Sequence, residues 1–281
     1  MNTAEIVNPI CSLRLNGEIM PHGPLEWASA LTSAGANGVF IRGIPVAELM
    51  GAGRFVSALL LLWSGNSPSD EDVELVEACL VACMDHGPAT PSAIAARTAA
   101  STGNRPLPSA ATGLLATGPL HGAAVSNCAE LIYDAPSTGV EKWASSAVKK
   151  ARRQGARVPG IGHRWHHEDP RTEVIFSLLD RQRRGSTAIS AVQSLSAALS
   201  KETGKHQCVN VDGAVAVSIV VLGLPVQFGD CLFGIARLGG LSAHVIEESS
   251  RERPMRVISP SNVHYDGPIP VHEMNTNVKL D

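Results

Sequence analysis

Apolar residues three and four apart, stopped repeatedly by glycine or proline, constrain this chain more than any other feature. That spacing gathers them on one helical face. After Pro68-Ser69-Asp70, residues Val73, Val76, Leu80, Val81 and Met84 keep the spacing until Gly87-Pro88, so a helix is predicted there with Asp85 and His86 at its C-terminal end. An alanine-rich helix is predicted over 91–102, buried on most sides because it has no charged face. Further helices are predicted over 123–133, from Val140 through Ala151 to a stop at Gly155, from Pro170 through Leu179, from Ala188 to about Gly204, and over 230–249. Segments 10–15 and 38–42 read as short strands. Alanine is abundant and aromatics are 4%, which suits close-packed helices better than sheets. The predicted fold class is all-α.

The charge balance narrows the partners. A net charge of −3 with no long Lys/Arg run gives no field for nucleic acid, although local arginines suit small anions. The opening residues lack a basic leader and the apolar run 214–224 is too short to span a bilayer, so no membrane and a cytoplasmic protein are expected. The six cysteines show no CxxC pair and are expected as buried free thiols.

Residues Arg157-Val158-Pro159-Gly160-Ile161-Gly162-His163-Arg164, running on to Asp169-Pro170-Arg171, form a stretch too polar and Gly-rich for core, and so a candidate binding loop. Asp169 can cap the next helix with Pro170 at its first position, which puts Arg171 in its first turn. Three polar residues stand at breaks between apolar helices: His121 in Gly118-Pro119-Leu120-His121-Gly122, His163, and Asp212 in Asn210-Val211-Asp212-Gly213. Two imidazoles and a carboxylate can move protons at a carbon acid and a carbonyl, and the helix dipole after His121 would keep its ring neutral. Arg171, Arg237 and Arg253 can fork onto carboxylates. Plainer readings stay open. His121 or Asp212 can be helix caps, Arg237 a surface ion pair and 251–256 a solvated basic end. His163, His166 and His167 have ligand-like spacing but no helical frame, so no metal is expected. Gly160-x-Gly162 lacks a third glycine and a preceding strand, and neither a Walker loop nor a nucleophile elbow occurs.

Taken in order, Asp85-His86-Gly87, the PSAxxAR run from Pro91, GPLHG, VPGIGHR, DPR and NVDG resemble the citrate synthase superfamily over most of the chain. Ala243-His244-Val245-Ile246-Glu247-Glu248 and Tyr265-Asp266-Gly267-Pro268 look most like citryl-CoA lyases and the lyase module of ATP-citrate lyase. The resemblance implies a helical large domain (1–120 and 225–281), a smaller helical lid (121–224) and a site between them. It also implies a homodimer or dimer-based assembly, and leaves room for a separate citryl-CoA synthetase partner. By motif, His121 would hold the thioester carbonyl, Asp212 would be the carbon acid/base and His163 would act at the oxaloacetate carbonyl or citryl hydroxyl. His86, Arg171 and Arg237 would bind carboxylates, and Arg253 would reach the neighbouring subunit's site. Val158, Pro159, Gly160, Ile161 and Gly162 would form the turn for the adenine of coenzyme A, with Arg164 near a phosphate. Trp165-His166-His167 departs from the family's usual segment. The implied reaction is citryl-CoA cleavage to acetyl-CoA and oxaloacetate, with no metal in the chemical step. Its rivals are a citrate or 2-methylcitrate synthase and a non-catalytic CoA-binding accessory subunit.

Overall fold

Residues 28–122, 124–163 and 167–268 are described in the structure, a computed structural model. The strand expected over 10–15, with Cys11, and the residues Arg164, Trp165 and His166 lie outside that set. Three short antiparallel strands come first, β1 (Thr32–Gly35), β2 (Gly38–Ile41) and β3 (Ile44–Pro45), with Thr32 opposite Ile41 and Phe40 opposite Pro45. Eleven α-helices follow among the described residues: α1 (Val46–Ala52), α2 (Phe55–Ser64), α3 (Asp70–Met84), α4 (Pro91–Ser101), α5 (Pro106–Leu115), α6 (Ala124–Tyr133), α7 (Val140–Arg153), α8 (Pro170–Arg181), α9 (Ser186–Thr203), α10 (Val211–Val221) and α11 (Phe228–Arg251). The all-α expectation holds, and among the described residues no helix is long and apolar enough to cross a membrane.

Helix starts follow local chemistry. Ser69 and Asp72 close a reciprocal capping box on α3, each satisfying the other's backbone N–H. Asp169 accepts from the Arg171 N–H with Pro170 at the first position of α8. Helix α5 has no counterpart in the sequence reading, because Pro106, Pro108 and Gly113 look like a loop. Both prolines fall in its first turn, where a missing N–H costs nothing. Helix α4 is buried on most sides, as expected: Ser92, Ala93, Ala96, Arg97, Ala100 and Ser101 are buried, while Ile94 and Thr98 face outward. Buried Arg97 pairs with fully buried Glu248 and with part-exposed Glu247.

One large apolar core joins α2, α3, α6 to α10 and part of α11, and a smaller cluster lies between α4, α5 and α11. Helix α10 is the centre, with Val215, Val217 and Ile219 fully buried. Each such side chain contributes about 1.5–3 kcal/mol, so the first turn of α10 stands on a rigid post. Long α11 packs on α3, α4 and α5. A Cβ on Gly240 would run into the Met84 carbonyl, so the glycine lets α11 pass close to the end of α3 and brings Arg237 against the Cys83 carbonyl.

Candidate active site

A cavity of about 250 Å³ lies where the ends of α3 and α4, the turn before α6, the 157–163 loop and the first turns of α8 and α10 meet α11. Its wall includes His86, His121, His163, Arg171, Asp212 and Arg237. Six residues chosen by motif thus surround one space. Gly162 is also on that wall, whereas Arg253 is exposed and is not part of it.

His121 sits on a tight turn closed by two backbone hydrogen bonds between Gly118 and His121. Its Nε2 lies 2.8 Å from the Oγ of fully buried Ser92, which fixes the ring and leaves Nδ1 for a ligand. Burial first, then the nearby Arg237 and His86, lower its pKa. Burial is thus the first cause of the lowering, where the sequence reading invoked the helix dipole. Linkage gives the sign: a histidine pKa lowered by folding lets the unfolded chain bind the proton better, so its contribution to stability is lost as pH falls below the ordinary value of about 6.5. An NMR titration should place the His121 ring below that value, with His121→Gln identifying the signal. A midpoint at or above it would refute the burial argument.

Asp212 is not the helix cap. Asn210 takes that place, its side-chain oxygen accepting from the N–H groups of Asp212 and Gly213. The Asp212 carboxylate opens onto the cavity, which leaves it part-exposed although protein encloses it on nearly every other side. Burial raises its pKa, opposed by the attraction of Arg171 and Arg237, so the site favours the protonated acid more than water does.

The arginines differ in how they are held. Arg171 forks onto the buried Asp169 through Nε at 2.9 Å and Nη2 at 2.8 Å, and Asp169 also accepts from the Val211 N–H. Burial would push the Asp169 carboxyl up, but these donors hold it below its ordinary range. Asp169 therefore joins Arg171 to the start of the Asp212 helix, a role the sequence reading limited to capping. Arg237 is not a surface residue: it is 4% exposed, its Nε donates to the Cys83 carbonyl at 3.1 Å, and its Cζ lies 4.7 Å from the Phe233 ring centroid. Its buried Nη1 has no hydrogen-bond partner among the described residues, a costly state that an incoming carboxylate would relieve. His86 meets His163 edge to face at 5.7 Å, and Asp85 beside it accepts from the Gly87 N–H and contacts His244.

The 158–162 turn is locked to α10. Gly160 has φ +76°, its carbonyl accepts from the Asn210 N–H, and a Cβ there would lie 2.5 Å from Cys128 Sγ and 2.8 Å from Gly213 Cα. Gly162 donates to Cys208 and accepts from the Asn210 side chain. Gly160→Ala should cost roughly 2–4 kcal/mol, through both φ strain and a clash with backbone. Thermal or denaturant unfolding checks this, and a loss under half a kcal/mol would disprove it. Ser92, which contacts His121, and Asn210 and Phe233, which line the cavity, were not singled out from the sequence. Ser92 and Asn210 lay inside quoted motifs, whereas Phe233 had no local signal.

The sequence profile of the citrate synthase C-terminal domain matches residues 52–260. The chain is similar to citryl-CoA lyase from Hydrogenobacter thermophilus, with a TM-score of 0.78 and 32% identity over 89% of this chain and 99% of that one. It is 29% identical over 232 residues to ATP-citrate synthase beta chain protein 1 of Arabidopsis thaliana, which is 76% of this chain and 38% of the plant protein. ATP citrate lyase from Methanothrix soehngenii, solved with citrate and coenzyme A, shares the fold at 20% identity and a TM-score of 0.76, over 88% of this chain and 43% of that one. The chain thus spans well under half the length of its ATP-citrate synthase relatives.

Proposed function

Because the chain belongs to the citrate synthase family, we propose that it is a carbon–carbon lyase, cleaving citryl-CoA or a related acyl-CoA to acetyl-CoA and oxaloacetate. The observation that supports this best is the meeting of His121, His163 and Asp212 on one cavity. His163 accepts the citryl hydroxyl proton as the carbon–carbon bond breaks and oxaloacetate forms. The bonding pair becomes a thioester enolate, whose oxygen takes a hydrogen bond from neutral His121, and Asp212 delivers a proton to the enolate carbon. A preorganised donor in such a site contributes a few kcal/mol, about 3 in typical cases. The raised pKa of Asp212 favours the acid that cleavage needs.

Arg171, Arg237 and His86 hold the carboxylates. Four of the six residues belong to the 121–224 segment and His86 and Arg237 to the remainder, so closure of that segment as a lid would complete the site. The adenine of coenzyme A would lie on the 158–162 turn. Exposed Arg253 would enter the site of a second copy in a homodimer, and a citryl-CoA synthetase would be the partner supplying substrate.

The test supplies citryl-CoA and follows oxaloacetate through malate dehydrogenase. Oxaloacetate release supports the lyase. Free CoA and citrate formed from acetyl-CoA and oxaloacetate would instead make the chain a synthase, and neither reaction in a folded protein would favour the accessory CoA-binding reading.

A further inference from the structure

The three histidines of the 163–167 stretch make a poor metal site by themselves, for want of a rigid frame. A frame comes from across the fold. His206, in the connection between α9 and α10, lays its ring on that of His167, with centroids 4.2 Å apart and planes 11° from parallel. Its Nε2 is 2.8 Å from Glu168 Oε1, and His167 Nδ1 is 3.8 Å from the same oxygen. One ligand atom from each of the three residues lies within 4.8 Å of the others, and all three residues are exposed to solvent.

The ordinary reading is a surface ion pair between His206 and Glu168, which is worth little. It leaves unexplained the second imidazole, stacked on the first and close to the same oxygen. We propose that His167, Glu168 and His206 bind a divalent transition metal of the zinc class, outside the catalytic cavity. Two imidazole nitrogens and a carboxylate oxygen suit that class rather than calcium or magnesium. Donors around a tetrahedral zinc stand about 3.4 Å apart, so the three groups close on the ion by rotating exposed side chains, with water in the fourth position. The ion clasps two segments that lead into the cavity: Glu168 precedes Asp169, which holds Arg171 and the Val211 N–H, and His206 precedes Cys208, whose carbonyl accepts from Gly162.

The untagged 281-residue chain is titrated with ZnCl₂ by calorimetry and with CoCl₂ in the spectrophotometer, beside His167→Ala and His206→Ala. One ion per chain is expected, with affinity at least tenfold weaker in each variant. The cobalt adduct should show visible ligand-field bands and no thiolate charge-transfer band, since the nearby Cys208 is not a ligand. Absence of a one-to-one isotherm, unchanged affinity in either variant, or a thiolate band would overturn the site.

Discussion

Asp212→Asn is expected to lower kcat for citryl-CoA cleavage by about a thousandfold, within the range for loss of a positioned general acid or base, while leaving the thermal midpoint equal to or above that of the parent. The two halves of this result have one cause. Asp212 stands on the buried α10 post, its backbone held by the Asn210 cap, and burial raises its pKa in spite of Arg171 and Arg237. A carboxyl pKa raised by folding means that the folded chain binds the proton more tightly, so stability declines as pH rises from the ordinary carboxylate range through the raised value. Asparagine has the shape of the protonated acid without the proton to give, so it removes the chemistry together with the cost of a buried charge. KM should change little, because the role proposed for Asp212 is at a carbon rather than at a carboxylate. Steady-state kinetics and a melting curve at neutral pH test this, and a variant keeping a tenth of the parent activity would remove Asp212 from the chemical step.

Most helices were legible because they obey local rules. Val73, Val76 and Leu80 follow the helical period, Asp169-Pro170 is a start signal, and Gly204 stops α9 in the left-handed conformation. Helix α5 was hidden because turn residues and first-turn helix residues overlap in type. The site divides in the same way. His121, His163 and Asp212 stand at chain breaks and inside family motifs, so their positions could be read in one dimension. The unpaired Nη1 of Arg237, the Ser92 contact to His121 and the stacking of His206 on His167 depend on residues 29 to more than 150 positions apart, and no local pattern encodes them. Sequence named the groups that the fold then gathers on one cavity, and packing shifts their pKa values.

Arg237→Met should make the free protein as stable as the parent or more so, while kcat/KM for the citryl thioester falls at least about a hundredfold, as expected when a buried charge-assisted contact worth 2–5 kcal/mol is lost. The guanidinium is buried with Nη1 unpartnered among the described residues, and burial lowers its pKa from the usual arginine range. A buried cation in that state costs several kcal/mol in desolvation, whereas the bond to the Cys83 carbonyl and the face of Phe233 return about 1–2 kcal/mol each. Methionine fills much of the same space without the charge. Asp212 loses a neighbouring cation but can take up a proton, as its raised pKa already favours. Under the proposed function, the parent holds the cation at the expense of its own stability so that a substrate carboxylate can complete its hydrogen bonds. Melting curves without ligand and initial rates across substrate concentration measure both effects. A midpoint that drops in Arg237→Met would mean that the arginine holds α11 against α3, and would assign it to structure rather than to substrate.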